Sequence, residues 1–350
     1  MATVAQALLG LAALRAQQRA QTEQATAEAI LAAWGGADVE SVAAQWASGL
    51  GARIREILTA GQDVASRGVA QYVTDAYVLQ GLRVNVPAVN SWAFSGQSSD
   101  GRPLDSLLMA APVRTRIALA QGDSPARAKD VGAVTLRRIV QTEVHDAARA
   151  ADQVGITAAE PSGVLRSEPV KSGRVQVPDP GKAPPALAEA SVPKLRYGWT
   201  RMISSDACPR CVVLAGAFYK WNSGFLRHPR CRCTHIPSTE DVAGDVTTNP
   251  DSYFWSLTRV QQDRTFGVSA AVAIRDGADL SQVVNATTRR GAVYVAGGRQ
   301  FTREGVTRRG LAGRRAPGQM RPTPAQIYAD AAGSRTAAIT MLRSFGYIIQ

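Results

Sequence analysis

The sequence is poor in aromatic residues and contains no long apolar run. Aromatic side chains make up 6% of the 350 residues, and much of the 45% hydrophobic content is alanine. A membrane-spanning helix needs about 18 or more consecutive apolar residues, and no such run is present. The residues after Met1 also lack the basic start and apolar core of a signal peptide. We therefore expect a helix-rich protein with a thin core that is made and kept in the cytoplasm, at least until assembly.

Cysteine is scarce as well, and its placement is informative. The four cysteines all lie between residues 208 and 233. A secreted protein that depends on disulfides distributes its cysteines over the fold. These four are therefore expected to serve one local site.

Acidic residues are fewer than basic ones. The chain has 28 Asp and Glu against 40 Lys and Arg, which gives a net charge of +12. This balance favours polyanionic partners such as nucleic acid over acidic small substrates.

Helical spacing of apolar residues dominates the first part of the chain. It runs from Val4 to about Leu58, interrupted at Gly35-Gly36, and resumes from Pro103 to about Val154. We predict one helix up to the glycine pair, a second over 39–58 and a third over 63–80. A chain of this length is also expected to form more than one folded unit.

The predicted fold class is mainly α. We predict these segments: a helical domain over 1–158; a proline-rich linker or arm over 159–194; a small α+β module held together by the cysteines over 195–240, packing on helix 126–155; a helical extension over 241–288; and a basic tail with a terminal helix over 289–350.

The cysteines form two half-sites, Cys208-Pro-Arg-Cys211 and His228-Pro-Arg-Cys231-Arg-Cys233. A two-residue gap lets two thiolates on one turn meet the same ion, and the second cluster completes a tetrahedron of soft ligands. Four thiolates around a structural Zn²⁺ are the first choice. Three thiolates with His228 are the second.

Other chemistry remains open at the same residues. Cys208 can pair with Cys231 or Cys233 as a disulfide, and the four thiols can also be reduced and inert. Cys208-Pro-Arg-Cys211 has the spacing of a redox motif but lacks a βαβ context. No HExxH or HxE pattern supports a catalytic zinc, so no enzymatic activity is predicted.

The cysteine string belongs to a longer pattern that resembles the Mu F-like minor head proteins of tailed bacteriophages, of the actinobacterial-phage type. The resemblance covers roughly residues 130–237. Its elements are Arg138 with Thr142-Glu143 on a helix, a proline-containing interval, Trp199, Asp206-Ala-Cys208-Pro-Arg-Cys211, Leu214, Gly216 and the terminal His228-to-Cys233 string.

The resemblance implies a structural virion protein present in few copies. Its expected partners are the phage portal protein and the major capsid or scaffolding protein, and its expected location is the head interior or portal region, after assembly in the host cytoplasm. It implies a role in head morphogenesis and in genome packaging or delivery, with no membrane partner. The alternative is a zinc-module nucleic-acid-binding protein without a virion role.

An arginine-rich segment follows at 289–321, with interspersed glycines that suit flexible tracking of phosphates. Tyr294 and Phe301 are candidates for stacking on bases, and a solvated basic loop or an arm on an acidic portal surface is the alternative. The candidate contacts to packaged double-stranded DNA are Arg289, Arg290, Arg299, Arg303, Arg308, Arg309, Arg314 and Arg315, with Arg321 closing the run.

Several residues near the cysteines are expected to have packing or contact roles rather than chemical ones. His145, on a helix, is expected to be a surface or packing residue. Thr142 and Glu143, with Arg138, are expected to make a polar contact toward the cysteine module. Trp199 and Trp221 are expected to pack its small core.

Overall fold

The structure is a computed structural model that describes residues 3–164, 196–288 and 291–349. The helices are α1 (Val4–Gly35), α2 (Val42–Gln45), α3 (Gly51–Ser66), α4 (Val69–Leu79), α5 (Leu104–Leu108), α6 (Ala110–Ala120), α7 (Pro125–Ala158), α8 (Pro209–Leu214), α9 (Glu240–Val246), α10 (Pro250–Ser256), α11 (Arg259–Phe266), α12 (Val268–Arg275), α13 (Leu280–Thr288), α14 (Leu311–Arg315), α15 (Pro324–Asp330) and α16 (Arg335–Ser344).

The strands are short and form small sheets. They are β1 (Leu82–Asn85), β2 (Glu160–Val164), β3 (Tyr197–Met202), β4 (Phe218–Lys220), β5 (Thr234–Thr239), β6 (Val293–Ala296), β7 (Arg299–Thr302) and β8 (Arg321–Pro322). The sheet orders are β1-β2, β4-β3-β5 and β6-β7-β8. The pairs β1–β2, β3–β4, β6–β7 and β7–β8 are antiparallel. The predicted fold class, mainly α with a small α+β region, is confirmed.

The chain forms two compact units. The first comprises Met1–Thr200 and Phe218–Val246, and the second comprises Arg201–Ala217 and Thr247–Gln350. The helices of the described part include none that is both long and apolar enough to cross a bilayer. The predicted linker falls almost wholly on residues 165–195, which lie outside the described residues.

In the first unit, the two longest helices start where the sequence caps them. The Thr3 hydroxyl accepts from the Gln6 N–H at 3.2 Å, and the Gln6 side chain accepts from the Thr3 N–H at 2.9 Å. This reciprocal pair satisfies two donors that a helix start leaves open. Ser124 caps α7 with its hydroxyl alone, which accepts from the Arg127 N–H at 3.3 Å, and Pro125 occupies the first helical position.

The core of this unit lies where α1, α3 and α7 meet. Ile30 and Trp34 of α1, Ile54 and Leu58 of α3, and Leu136 of α7 are buried there. Close approach depends on a small residue, because a Cβ at Gly132 of α7 would overlap the Trp34 ring and the Thr115 hydroxyl. The predicted break after α1 at Gly35-Gly36 is confirmed.

The helix predicted over 39–58 is interrupted, and the break has a local cause. Residues Trp46–Leu50 form a π-helical turn in which Gly49 has φ of 139°, a conformation that favours glycine. The Trp46 indole lies against the backbone of Gly51, where an added Cβ would come within 2.7 Å of its nitrogen. The next predicted start, at residue 63, is also wrong, because α3 continues to Ser66 and α4 begins after the left-handed Gly68.

In the second unit, helices α10 to α13 precede the sheet β6-β7-β8. The turn between β6 and β7 uses Gly297 and Gly298 with φ of 55° and 74°, the paired positive values that a tight hairpin turn requires. The C-terminal residues are fixed by buried Arg321, which donates to the carbonyls of Phe345 and Gly346 and lies 3.9 Å from the centre of the Tyr347 ring. The arginine-rich segment therefore contains a folded sheet rather than a flexible tail.

Candidate metal centre

The first half-site is built by a strand that leads into a short helix. Cys208 is the N-cap residue of α8, and Pro209 occupies the first helical position. One turn of helix then places Cys211, which is 2% exposed. The buried guanidinium of Arg201 donates to the Cys211 sulphur at 3.8 Å. A cation beside a cysteine stabilises the thiolate, which is the form that binds metal.

The second half-site is a turn before β5. The Cys231 N–H donates to the His228 carbonyl at 3.1 Å, and Arg230 between them adopts φ of 66°. Cys231 and Cys233 are both buried, whereas His228 is exposed, with its Nδ1 2.7 Å from the Pro229 carbonyl oxygen.

The cysteine sulphurs and the His228 ring lie close enough to share an ion. The ligand atoms of Cys208, Cys211 and His228 lie within 4.8 Å of one another, and so do those of Cys211, Cys231 and Cys233. Cys211 belongs to both groups.

The donor set fits a soft or borderline cation. A tetrahedral Zn²⁺ with Zn–S bonds of about 2.3 Å holds its sulphurs roughly 3.8 Å apart. Ligand atoms that all lie within 4.8 Å of one another are compatible with that arrangement. Four thiols and one imidazole also match the ligands of structural zinc sites. The clustering of these residues is compatible with a metal site, as the spacing predicts.

Helix α7 holds the backbone of the second half-site. Nη1 of Arg149 donates to the Cys231 carbonyl at 2.6 Å and to the Cys233 carbonyl at 3.4 Å. The other Nη of Arg149 is paired with Asp146. Because this arginine is only 2% exposed, it orients the two cysteines without competition from water.

The predicted polar contact from the 138–143 helix segment is present. The Thr142 hydroxyl accepts a hydrogen bond from the Arg230 N–H at 3.2 Å. Glu143 faces elsewhere and accepts from the Ser99 N–H and hydroxyl. Burial raises the pKa of Glu143, and the two Ser99 hydrogen bonds partly offset that effect.

An aromatic cluster supports the strands next to the second half-site. Trp199 is fully buried, with ring centres 4.3 Å from Tyr219, 5.1 Å from Phe225 and 4.7 Å from His235. Its predicted packing role is confirmed. Trp221, in contrast, is 38% exposed and only flanks the cluster.

His145 is a packing residue in an ionic cluster. Its Nε2 lies 3.0 Å from Glu23, which also receives hydrogen bonds from Arg232 between the two cysteines. Burial lowers the pKa of His145, and the Glu23 hydrogen bond only partly counters it. Burial acts to raise the pKa of Glu23, but the bonds from His145 and Arg232 outweigh it and the pKa is lowered.

The sequence-based prediction missed the buried charges that surround the site. Arg15, Arg19 and Glu23 continue the stripe that Leu8 and Ala12 begin on one face of α1. Charged residues that fall on the spacing of an apolar stripe were a usable signal, because that face of a helix packs against the core.

The arginine candidates separate into engaged and exposed groups. Arg299 is paired with Asp330, and Arg315 donates to the carbonyls of Arg343, Ile348 and Ile349. Arg303, Arg308, Arg309 and Arg314 also have exposed side chains, and of these Arg303 lies over the Tyr294 ring. Arg289 and Arg290 lie outside the described residues.

The proposed base-stacking residues also differ from expectation. Phe301 is 4% exposed, so it presents no face to a nucleic acid, and that expectation is wrong. Tyr294 is half-buried and has the Arg303 guanidinium 5.2 Å from its ring centre.

Comparisons with protein-family profiles, with curated proteins and with solved structures give no match to this chain.

Proposed function

We propose that the chain is a structural minor head protein of a tailed bacteriophage, of the Mu F-like kind. It associates with the portal protein and with the major capsid or scaffolding protein at the inside of the head. Its role is in head morphogenesis and in packaging or delivery of the genome. In this proposal the cysteine site has a structural role and the protein is not an enzyme.

The main support for the proposal is a set of hydrogen bonds between segments that are far apart in the chain. Thr142 on α7 accepts from the backbone of Arg230, and Arg149, two turns later, holds the carbonyls of Cys231 and Cys233. Two of the elements that carry the sequence resemblance, the helix with Thr142 and the His228-to-Cys233 string, are thus in direct contact. This supports a common structural purpose for them.

The proposal includes one Zn²⁺ ion held by these cysteines. Cys211, Cys231 and Cys233 are the buried thiols that would hold it, and Cys208 or His228 would complete the set. When bound, the ion supplies cross-linking of chain segments and no reaction chemistry. Its contribution to stability is direct, since metal binding to such a site is coupled to folding.

DNA contact is the second element of the proposal. The exposed side chains of Arg303, Arg308, Arg309 and Arg314 would contact backbone phosphates. Sequence-independent phosphate contact suits a protein that faces packaged DNA. Binding should therefore be steeply salt-dependent and blind to sequence.

Mass spectrometry of purified heads tests the proposal. The material is the heads of the phage or prophage whose genome encodes the chain. The chain should be present in few copies per head, together with the portal protein, and deletion of its gene should reduce the yield of DNA-filled heads. Absence from both immature and mature heads would contradict the proposal.

The alternative, a nucleic-acid-binding protein with no virion role, is favoured by the same exposed arginines. A competition assay with labelled duplexes of different sequence separates the two. Preference for one duplex at constant salt would support the alternative, whereas equal binding to all duplexes supports the head protein.

A further inference from the structure

The sheet β6-β7-β8 of the second unit has one exposed edge. Strand β6 lies at the end of the strand order and pairs with β7, with Val293 opposite Thr302. The side chains of Val293 and Val295 are 37% and 66% exposed. The opposite edge differs, because β8 is the buried pair Arg321–Pro322 and proline has no N–H to offer to a further strand. The exposed edge of the sheet is therefore β6.

The register of the hairpin determines which backbone groups of β6 point outward. The Arg303 N–H donates to the Ala292 carbonyl at 2.8 Å, so Ala292 faces the neighbouring strand. Residues along an antiparallel strand alternate between bonding their neighbour and pointing away from it. The N–H and C=O groups of Val293 and Val295 therefore point away from β7. No strand in the described part of the chain pairs with that outer side.

The sequence of β6 does nothing to block an added strand. Exposed edges are usually protected by a charged side chain, a proline or a bulge. Residues 293–296 contain neither charge nor proline, and their register with β7 is continuous. The outward N–H and C=O groups form a template for an extended segment, and Val293 and Val295 offer an apolar row on one face for its side chains.

The charge beside this edge is positive. Residues 291–303 include Arg299 and Arg303 and no acid. Arg299 is paired with Asp330, whereas Arg303 is exposed and its guanidinium lies 5.2 Å from the centre of the Tyr294 ring on β6. Pairing with a second copy of the chain would bring two such arginine-bearing hairpins together, which like-charge repulsion opposes. An acidic segment has the complementary charge.

We infer that β6 binds an extended acidic segment of a partner protein by strand addition. The backbone of that segment pairs with the outward N–H and C=O groups of Val293 and Val295, and its apolar side chains lie along the two valines. Its acidic side chains meet Arg303. The main-chain hydrogen bonds provide affinity, while the valine row and the charge provide selectivity. The inference is independent of the cysteine site.

The test is fluorescence anisotropy of a labelled peptide, Asp-Asp-Val-Thr-Val-Thr-Val-Asp-Asp, titrated with the full chain. One control peptide has proline at every position between the aspartates, which keeps the charge and removes the strand donors. A second control has lysine in place of each aspartate. The first peptide should bind at one site per chain, and each control should bind at least tenfold more weakly. Amide hydrogen exchange within residues 292–296 should slow when the first peptide binds.

Paired variants locate the binding edge. Val295→Glu places a negative charge on β6, while Val268→Glu makes the same change on α12 at a residue of nearly equal exposure, 65%. Val295→Glu should weaken binding of the acidic peptide at least tenfold, and Val268→Glu should leave it unchanged. Val295→Pro removes an outward N–H without breaking a bond to β7, so it should weaken binding similarly, whereas Val295→Thr should not. Melting temperatures would verify that each variant is folded, and the two glutamate variants decide the matter if Val295→Pro does not fold.

Four results would overturn the inference. The first is no binding of the acidic peptide to the wild-type chain, and the second is equal affinity for the Val295→Glu and Val268→Glu variants. The third is equal binding of the proline control, which would mean attraction by charge alone. The fourth is equal binding of the lysine control, which would exclude an acidic partner. A dimer of the chain that Val295→Glu dissociates would assign the edge to a second copy instead.

Discussion

Asp152 is the residue whose change most directly tests how the first unit is held together. It is fully buried and is the shared counterion of Arg15 and Arg19, and it also lies 3.9 Å from His235. The substitution Asp152→Asn preserves size and shape but removes the charge. It leaves two guanidinium groups, 7% and 1% exposed, without an anion.

Breaking a buried ion pair by removing one partner typically costs about 3–5 kcal/mol. For a unit of this size, about 1 kcal/mol lowers the melting temperature by roughly 2–4 °C, so the expected loss is roughly 6–20 °C. Urea unfolding monitored by circular dichroism would measure the free energy, and a thermal scan would measure the melting temperature.

The matched control is Asp105→Asn. Asp105 pairs with Arg55 at 3.0 Å, but the two side chains are 63% and 44% exposed. Exposed pairs contribute about 0–1 kcal/mol, so this variant should be nearly as stable as the wild type. Equal stability of the two variants would refute the conclusion that charge pairing at Asp152 holds α1 against α7.

Three further predictions use other parts of the first unit. Gly132→Ala should destabilise the unit by about 1–3 kcal/mol, because the new Cβ would overlap Trp34. Gly10→Ala, with open space around its Cβ position, should instead stabilise α1 by about 0.5–1 kcal/mol. Urea midpoints would check both, and an unchanged midpoint for Gly132→Ala would contradict the close packing. Arg149→Lys should weaken Zn²⁺ affinity roughly 10–100-fold in a chelator competition, because Arg149 orients the Cys231 and Cys233 carbonyls. The control Arg137→Lys, on the exposed face of α7, should leave the affinity unchanged. Equal affinities of the two variants would exclude that orienting role. Burial lowers the pKa of His145, so the stability that its neutral form contributes is present above about pH 6.5 and is lost as pH falls through its folded pKa. Urea midpoints should therefore decline between pH 7 and pH 5, and His145→Gln should flatten that decline.

The sequence predicted the helices whose spacing and end signals agree. The break at Gly35-Gly36 and the long helix over 126–155 were both expected, and the structure has α1 end at Gly35 and α7 run from Pro125 to Ala158. Each of these segments has a local end signal: the glycine pair follows α1, and Ser124 with Pro125 opens α7. Local chemistry was sufficient there.

The helix interruption at Trp46–Leu50 could not be predicted from such local signals. It depends on the Trp46 ring packing over Gly51, a contact that no spacing rule contains. The hairpin at Gly297-Gly298 was also missed, because its glycines suggested flexibility in an arginine-rich context. In the structure they provide the two positive φ values of a tight turn.

The candidate site was predicted as a set of ligands, but its surroundings were not. The spacing of the cysteines indicated that they would converge, whereas the support from Arg149 depends on the register between α7 and the turn before β5. The shared carboxylate of Asp152 depends on the packing of α1 against α7 in the same way. Such pairings depend on how distant helices and turns pack together, so local sequence patterns do not predict them.

The cysteine cluster is the centre of the proposed structure and function, and its metal content tests it most directly. The full chain should be purified under reducing conditions with zinc and analysed by native mass spectrometry, followed by thiol titration after chelation. We predict one zinc per chain, four titratable thiols after its removal, and loss of the metal in Cys211→Ser, the residue common to both ligand groups. A zinc-free chain whose cysteines are joined by disulfide bonds would contradict a metal site.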